Sequence, residues 1–147
     1  MVYIQNIVDV KRITFSSGGQ EHVFLITNTA EDEDDSSTLT TTAVSLNGAS
    51  IDVGEFKSLY QAIISMNIKE FGLDYKASGT PEMTITFELL DSSKPKDVLT
   101  LYQYNDMRNL LVVNGQGFSL VDYKTPAAFL EKITALAEGR EVTTTMP

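Results

Sequence analysis

Two Asn-Gly dipeptides limit what this chain can fold into more than any other feature. Asn47-Gly48 follows the run Ala43-Val44-Ser45-Leu46, and Asn114-Gly115 follows Leu110-Leu111-Val112-Val113. A two-residue hairpin turn whose twist matches its strands needs positive φ at both central residues, and Asn followed by Gly meets that need at little steric cost. Each dipeptide therefore predicts an antiparallel hairpin, one over 40–52 and one over 108–121.

What surrounds the hairpins also recurs. Ile13-Thr14-Phe15 returns as Ile85-Thr86-Phe87. "MTITFELL" (83–90) alternates strictly, with Met83, Ile85, Phe87 and Leu89 on one side, as a half-buried strand does. "EHVFLIT" (21–27) and "VLTLYQY" (98–104) read as further strands. After each hairpin the apolar period changes to that of a helix. In the first, Phe56, Leu59, Tyr60, Ile63 and Ile64 share a face, with Asp52 and Glu55 as a capping box and an end near Asn67. In the second, Phe129, Leu130, Ile133, Leu136 and Ala137 do so, with Thr125 as N-cap, Pro126 at the first helical position and Gly139 closing the helix. We expect an α+β protein of two similar units, a tandem ββββα repeat in which each unit is an antiparallel sheet of about four strands followed by one α-helix. The units would span 1–75 and 76–147, joined at "KASGTP" and packed as one compact domain. "AEDEDDSST" (30–38) reads as an acidic solvated loop, "DSSKPKD" (91–97) as a turn, and the polar tail "REVTTTMP" as a segment that frays.

Charge and residue usage then narrow the chemistry. Twenty acidic residues against 11 basic give a formal charge of −9, which opposes binding to nucleic acid or to anionic lipid. There is no cysteine and one histidine, His22, so disulfides, thiolate catalysis and Cys-ligated zinc are excluded and a soft metal site lacks ligands. No G-x-S-x-G or Walker spacing is present; "NGQG" (114–117) bends a hairpin instead of opening a helix. The acidic run lacks the oxygen-ligand spacing of a calcium loop. No apolar run approaches the roughly 20 residues that span a bilayer, and no signal peptide is visible. The abrupt opening "MVYIQNIVDV" suggests a fragment whose leader or anchor has been removed. We assign no catalytic residue, no cofactor and no metal. Glu88 stands out as a carboxylate on the polar side of a strand, a position that charged edge strands use ordinarily. Tyr102, Tyr104 and Tyr123 form the candidate interaction surface, because exposed tyrosines suit contact with protein or glycan.

From about residue 53 onward, "FKSLYQAIISM", "PEMTITFELLD", "LTLYQYNDMRNLLVVNGQGFSLV" and "FLEKI" resemble an uncharacterised bacterial family catalogued as domain of unknown function forty-three forty. The opening "VYIQNIVDVKRITF" is similar to the start of such a repeat. The resemblance covers most of the chain and rests on hydrophobic patterns. It implies an extracytoplasmic protein anchored by an N-terminal membrane helix that lies outside this sequence, α+β repeats, and an accessory role beside ABC-type transport systems. On that footing the expected function is a non-enzymatic interaction or scaffolding module of a bacterial cell envelope, with an envelope or transporter protein as partner. The alternatives are a carboxylate-based, glycosidase-like hydrolase and a secreted inhibitor or ligand-binding protein.

Overall fold

The computed structural model describes residues 10–32, 35–71, 79–90 and 96–147. In chain order the elements are β1 (Val10–Ser17), β2 (Gln20–Asp32), β3 (Asp35–Leu46), β4 (Ala49–Ile51), α1 (Val53–Ile64), β5 (Ile68–Phe71), β6 (Met83–Leu89), β7 (Asp97–Gln103), β8 (Arg108–Val113), β9 (Gln116–Asp122) and α2 (Thr125–Ala137).

The α+β composition is as expected, but the two-unit architecture is not. The nine strands of the described residues form one antiparallel sheet in the order β4-β3-β2-β1-β6-β7-β8-β9-β5, in place of two separate ββββα units. Three features join what the sequence pattern suggested were two blocks. First, β1 pairs directly with β6, opposing Ile13 to Phe87, Thr14 to Thr86 and Phe15 to Ile85. Two four-stranded sheets would each leave an unpaired edge there, and antiparallel pairing removes both. Second, both helices cover the same face and reach across the seam. The Phe129 ring on α2 stacks on Phe15 of β1 at 5.8 Å, and Tyr60 on α1 meets Phe87 of β6 edge-on at 6.4 Å. Third, β5 follows α1 in the chain yet pairs with β9 at the far edge.

One face of the sheet makes the core. Ile13, Phe15, Phe24, Phe87 and Leu101 point into it and are fully buried, along with Phe56 and Leu59 of α1. The opposite face carries Arg12, Thr14, Thr86 and Glu88, paired across the seam.

Both Asn-Gly turns form, and each does more than reverse the chain. Asn47 and Asn114 take φ of 51° and 50°, and Gly48 and Gly115 follow at 90° and 85°. Each Asn also grips the strand beyond its own hairpin. The Asn47 N–H donates to Val23 O at 2.9 Å while its Oδ1 accepts from Val23 N–H at 2.8 Å. Asn114 repeats this on Val98, at 2.8 and 2.7 Å.

Other expectations need correction. Most of the segment 30–38 is strand and not loop: β2 runs to Asp32 and β3 starts at Asp35, with Asp32 opposite Asp35, while Glu33 and Asp34 lie outside the described residues. The turn at 91–97 lies largely outside the described residues, as does the first half of the linker at 76–81. Asp52 caps α1 by accepting from Glu55 N–H at 2.9 Å, but α1 ends at Ile64 and a short strand, β5, follows. The N-cap of α2 is Lys124, one residue before Thr125, and it makes no side-chain cap. Gly139, at φ 72°, closes α2, with Arg140 N–H reaching Ala135 O at 2.8 Å.

The tail, expected to hang free, is packed against the helices. Val142 and Met146 are 5% exposed and belong to the core. Glu55 Oε2 accepts from Val142 N–H at 2.6 Å, Lys132 Nζ donates to Thr143 O at 2.7 Å, and Asn67 Nδ2 donates to Met146 O at 2.8 Å. Glu55 thus serves the tail rather than returning to its own N-cap. The tail also changes which side of α2 is buried: Lys132 and Ala135 go under, while Ala137 stays out.

Candidate functional site

The three tyrosines occupy one end of the sheet but not one surface. Tyr102 sits on β7 opposite Leu110, which sits opposite Leu120 on β9. Those leucines are 1% and 2% exposed, and with Val112 they form a small apolar cluster on the face away from the helices, against which Tyr102 packs. Tyr102 is therefore a half-buried packing residue.

Tyr104 and Tyr123 are different. Tyr104 continues β7 past its end, donating its N–H to Arg108 O at 3.1 Å, and Tyr123 continues β9, donating to Met107 O at 3.2 Å. β8 begins between them, so the two rings start about two strand spacings apart, roughly 10 Å. Met107 lies at the β7–β8 turn between them and is 63% exposed, against 44% for Tyr104 and 47% for Tyr123. The pattern missed Met107, though an apolar residue among Asn105, Asp106 and Arg108 in a tight turn was the available signal.

Polar groups hold this end in shape. Asn105 Oδ1 accepts from Met107 N–H at 2.8 Å and closes the turn, the side-chain-to-backbone contact that Asn makes readily. Arg108 Nε stands 3.5 Å from Glu70 Oε2, linking β8 to β5. Lys124 Nζ lies 5.7 Å from the centre of the Tyr123 ring, within cation–π range. Behind the site, on the helix side, Asn109 is 1% exposed and donates to Glu82 Oε2 at 3.1 Å; its buried Oδ1 has no partner among the described residues.

The other singled-out residues have structural roles. Glu88 bridges Arg12 at 3.2 Å and Lys96 at 3.7 Å on the open face. His22 is half-buried opposite Phe15 at the end of β2. Among the described residues no three His, Cys, Asp or Glu side chains gather as metal ligands, and no helix is long and apolar enough to cross a membrane.

Among the described residues two hollows are of note. One, of about 460 Å³, lies at the β1–β2 turn and is walled by Ser16–Gly19, Thr80, Pro81 and Thr84, with no titratable group. The other, of about 340 Å³, lies between α2 and the tail and includes Lys132, Glu131, Arg140 and Glu141. Burial lowers the Lys132 pKa from its usual 10.5, and neighbouring Glu131 opposes that shift.

No family model, curated protein or solved structure matches the chain. The aromatic end of the sheet therefore has to be read on its own chemistry. Tyr, Met and Arg are the residue types over-represented where proteins meet. Two tyrosines with a methionine between them, bounded by Arg108 and Lys124, can bury apolar area while their hydroxyls still find partners.

Proposed function

We propose that the chain is a non-enzymatic interaction or scaffolding module of a bacterial cell-envelope protein, accessory to an ABC-type transport system. The observation that carries the interaction half of this reading is the cluster of Tyr104, Met107 and Tyr123 at one sheet end, large side chains exposed around the β7–β8 turn. The envelope half rests on the family resemblance of the sequence, as does anchoring by a preceding membrane helix. The partner is a protein surface with an apolar hollow for Met107. An acidic rim on it would complement Arg108 and Lys124.

A photo-crosslinking amino acid at position 107 of the full-length protein, in intact cells, tests both halves. A discrete crosslinked product in the envelope fraction, absent when Tyr104→Ser and Tyr123→Ser are combined, supports the reading. Full-length protein confined to the cytosol defeats the envelope half. A crosslinking pattern indifferent to both tyrosines defeats the interaction half.

A further inference from the structure

The tail is held as proteins hold bound peptides. Residues 140–147 form no helix or strand, and the scaffold grips their backbone with three side chains, one on α1, one just after it and one on α2. Glu55 takes the Val142 N–H, Lys132 gives to the Thr143 carbonyl and, at 2.9 Å, to its hydroxyl, and Asn67 gives to the Met146 carbonyl. Apart from the Thr143 hydroxyl, these contacts go to the backbone and do not depend on side chains. Selectivity comes from two apolar anchors four residues apart, Val142 and Met146, both entering the core beside the helices. Between them Thr143, Thr144 and Thr145 stay exposed. The fit is incomplete, since the tail and α2 enclose the hollow of about 340 Å³.

We propose that the seat formed by α1, α2 and Asn67 is a peptide-docking groove occupied in cis by the chain's own tail. Its partner in trans is an extended segment with a branched aliphatic residue and a methionine four positions apart, which displaces residues 140–147. The tail itself displays the chemistry of that occupant. Release is cheap relative to unfolding, because two side chains and a few hydrogen bonds oppose the entropy regained by eight residues. Gly139, already at positive φ, is the hinge. The groove does not involve Tyr104, Met107 or Tyr123, and its test stands apart from theirs.

The probe is a fluorescent synthetic peptide with the sequence of residues 140–147, added to the full chain and to a variant with Val142→Asp and Met146→Asp. The variant should bind it saturably, and the unaltered chain about tenfold more weakly or worse, because its own tail competes. A peptide carrying the same two Asp substitutions should not bind. Equal binding to both chains, or none to a folded variant, overturns the proposal. Dimerisation of the unaltered chain that the variant loses would overturn it in favour of a second copy's tail. Should the variant fail to fold, native-state hydrogen exchange on the unaltered chain decides. The Val142 amide must exchange well before the core amides of β1 and β6, and exchange only together with them refutes a releasable tail.

Discussion

The two faces of the sheet are built from the same strands by alternation, and they do different work. On the covered face Phe15 meets Phe24 edge-on at 5.8 Å and stacks on Phe129, while Phe24 packs on Phe56 at 5.2 Å. On the open face the same seam carries Thr14 against Thr86 and an ion pair between Arg12 and Glu88. Burial makes each covered-face ring worth several kcal/mol, whereas water screens the open-face charges. The difference teaches that stability is concentrated on the covered face. Tyr104 and Tyr123 sit just beyond the ends of β7 and β9.

This contrast can be broken by substitution. The largest effect should come from Phe15→Ala, which opens a cavity among Phe24, Phe129 and Ile85. We expect a loss of about 3–5 kcal/mol in urea unfolding; a loss below about 1 kcal/mol would mean that the ring is not at the centre of the core. Next come Asn47→Ala and Asn114→Ala. Each places alanine at positive φ and deletes the side-chain acceptor for the neighbouring strand, so each should cost roughly 1–3 kcal/mol. The two should be similar, because their hydrogen bonds to Val23 and Val98 are alike, and a large inequality would show that only one clamp matters.

A subtler effect belongs to Lys132 under the tail. Its pKa is lowered from 10.5 by burial, with Glu131 pulling the other way. The unfolded chain therefore keeps this proton to higher pH than the folded one. Below the folded pKa the buried charge opposes folding, and the opposition fades as pH rises from the folded value toward 10.5. Relative to Lys132→Met, the unaltered chain should gain stability over that alkaline window, measured by paired urea titrations. A difference flat with pH would place the ammonium in bulk water. Smallest of all is Glu88→Gln on the open face, expected to cost less than about 1 kcal/mol and to lose that cost in high salt.

Local pattern carried much of this architecture. "MTITFELL" marked Met83, Ile85, Phe87 and Leu89 as one face, and all four are buried. The Asn-Gly pairs marked both hairpins because only a few residues tolerate their backbone. What the pattern could not carry was adjacency. Alternation tells which side of a strand is apolar but not which strand lies beside it, so the β1–β6 seam was invisible and the recurrence looked like two separate blocks. β5 was missed because Ile68-Lys69-Glu70-Phe71 is short, charged and at an edge. The tail was misjudged because Val142 and Met146 are isolated among threonines, and their burial depends on a seat made by distant helices. At the candidate site, tyrosine content pointed to one end of the sheet but could not separate Tyr102, packed on Leu110, from Tyr104 and Tyr123.

The direct test of the single sheet is a disulfide across its seam, in a chain that has no cysteine of its own. Thr14 and Thr86 are register partners, and opposed residues in an antiparallel pair bring their Cβ atoms to about 4.5–5.5 Å, close enough for a bond to form with small adjustment. With Thr14→Cys and Thr86→Cys combined, mild oxidation of dilute protein should give a monomeric, internally bridged chain that keeps its circular dichroism spectrum. Free thiols, or only intermolecular bridges, under conditions where the protein stays folded would contradict a β1–β6 seam and the continuous nine-stranded sheet built on it.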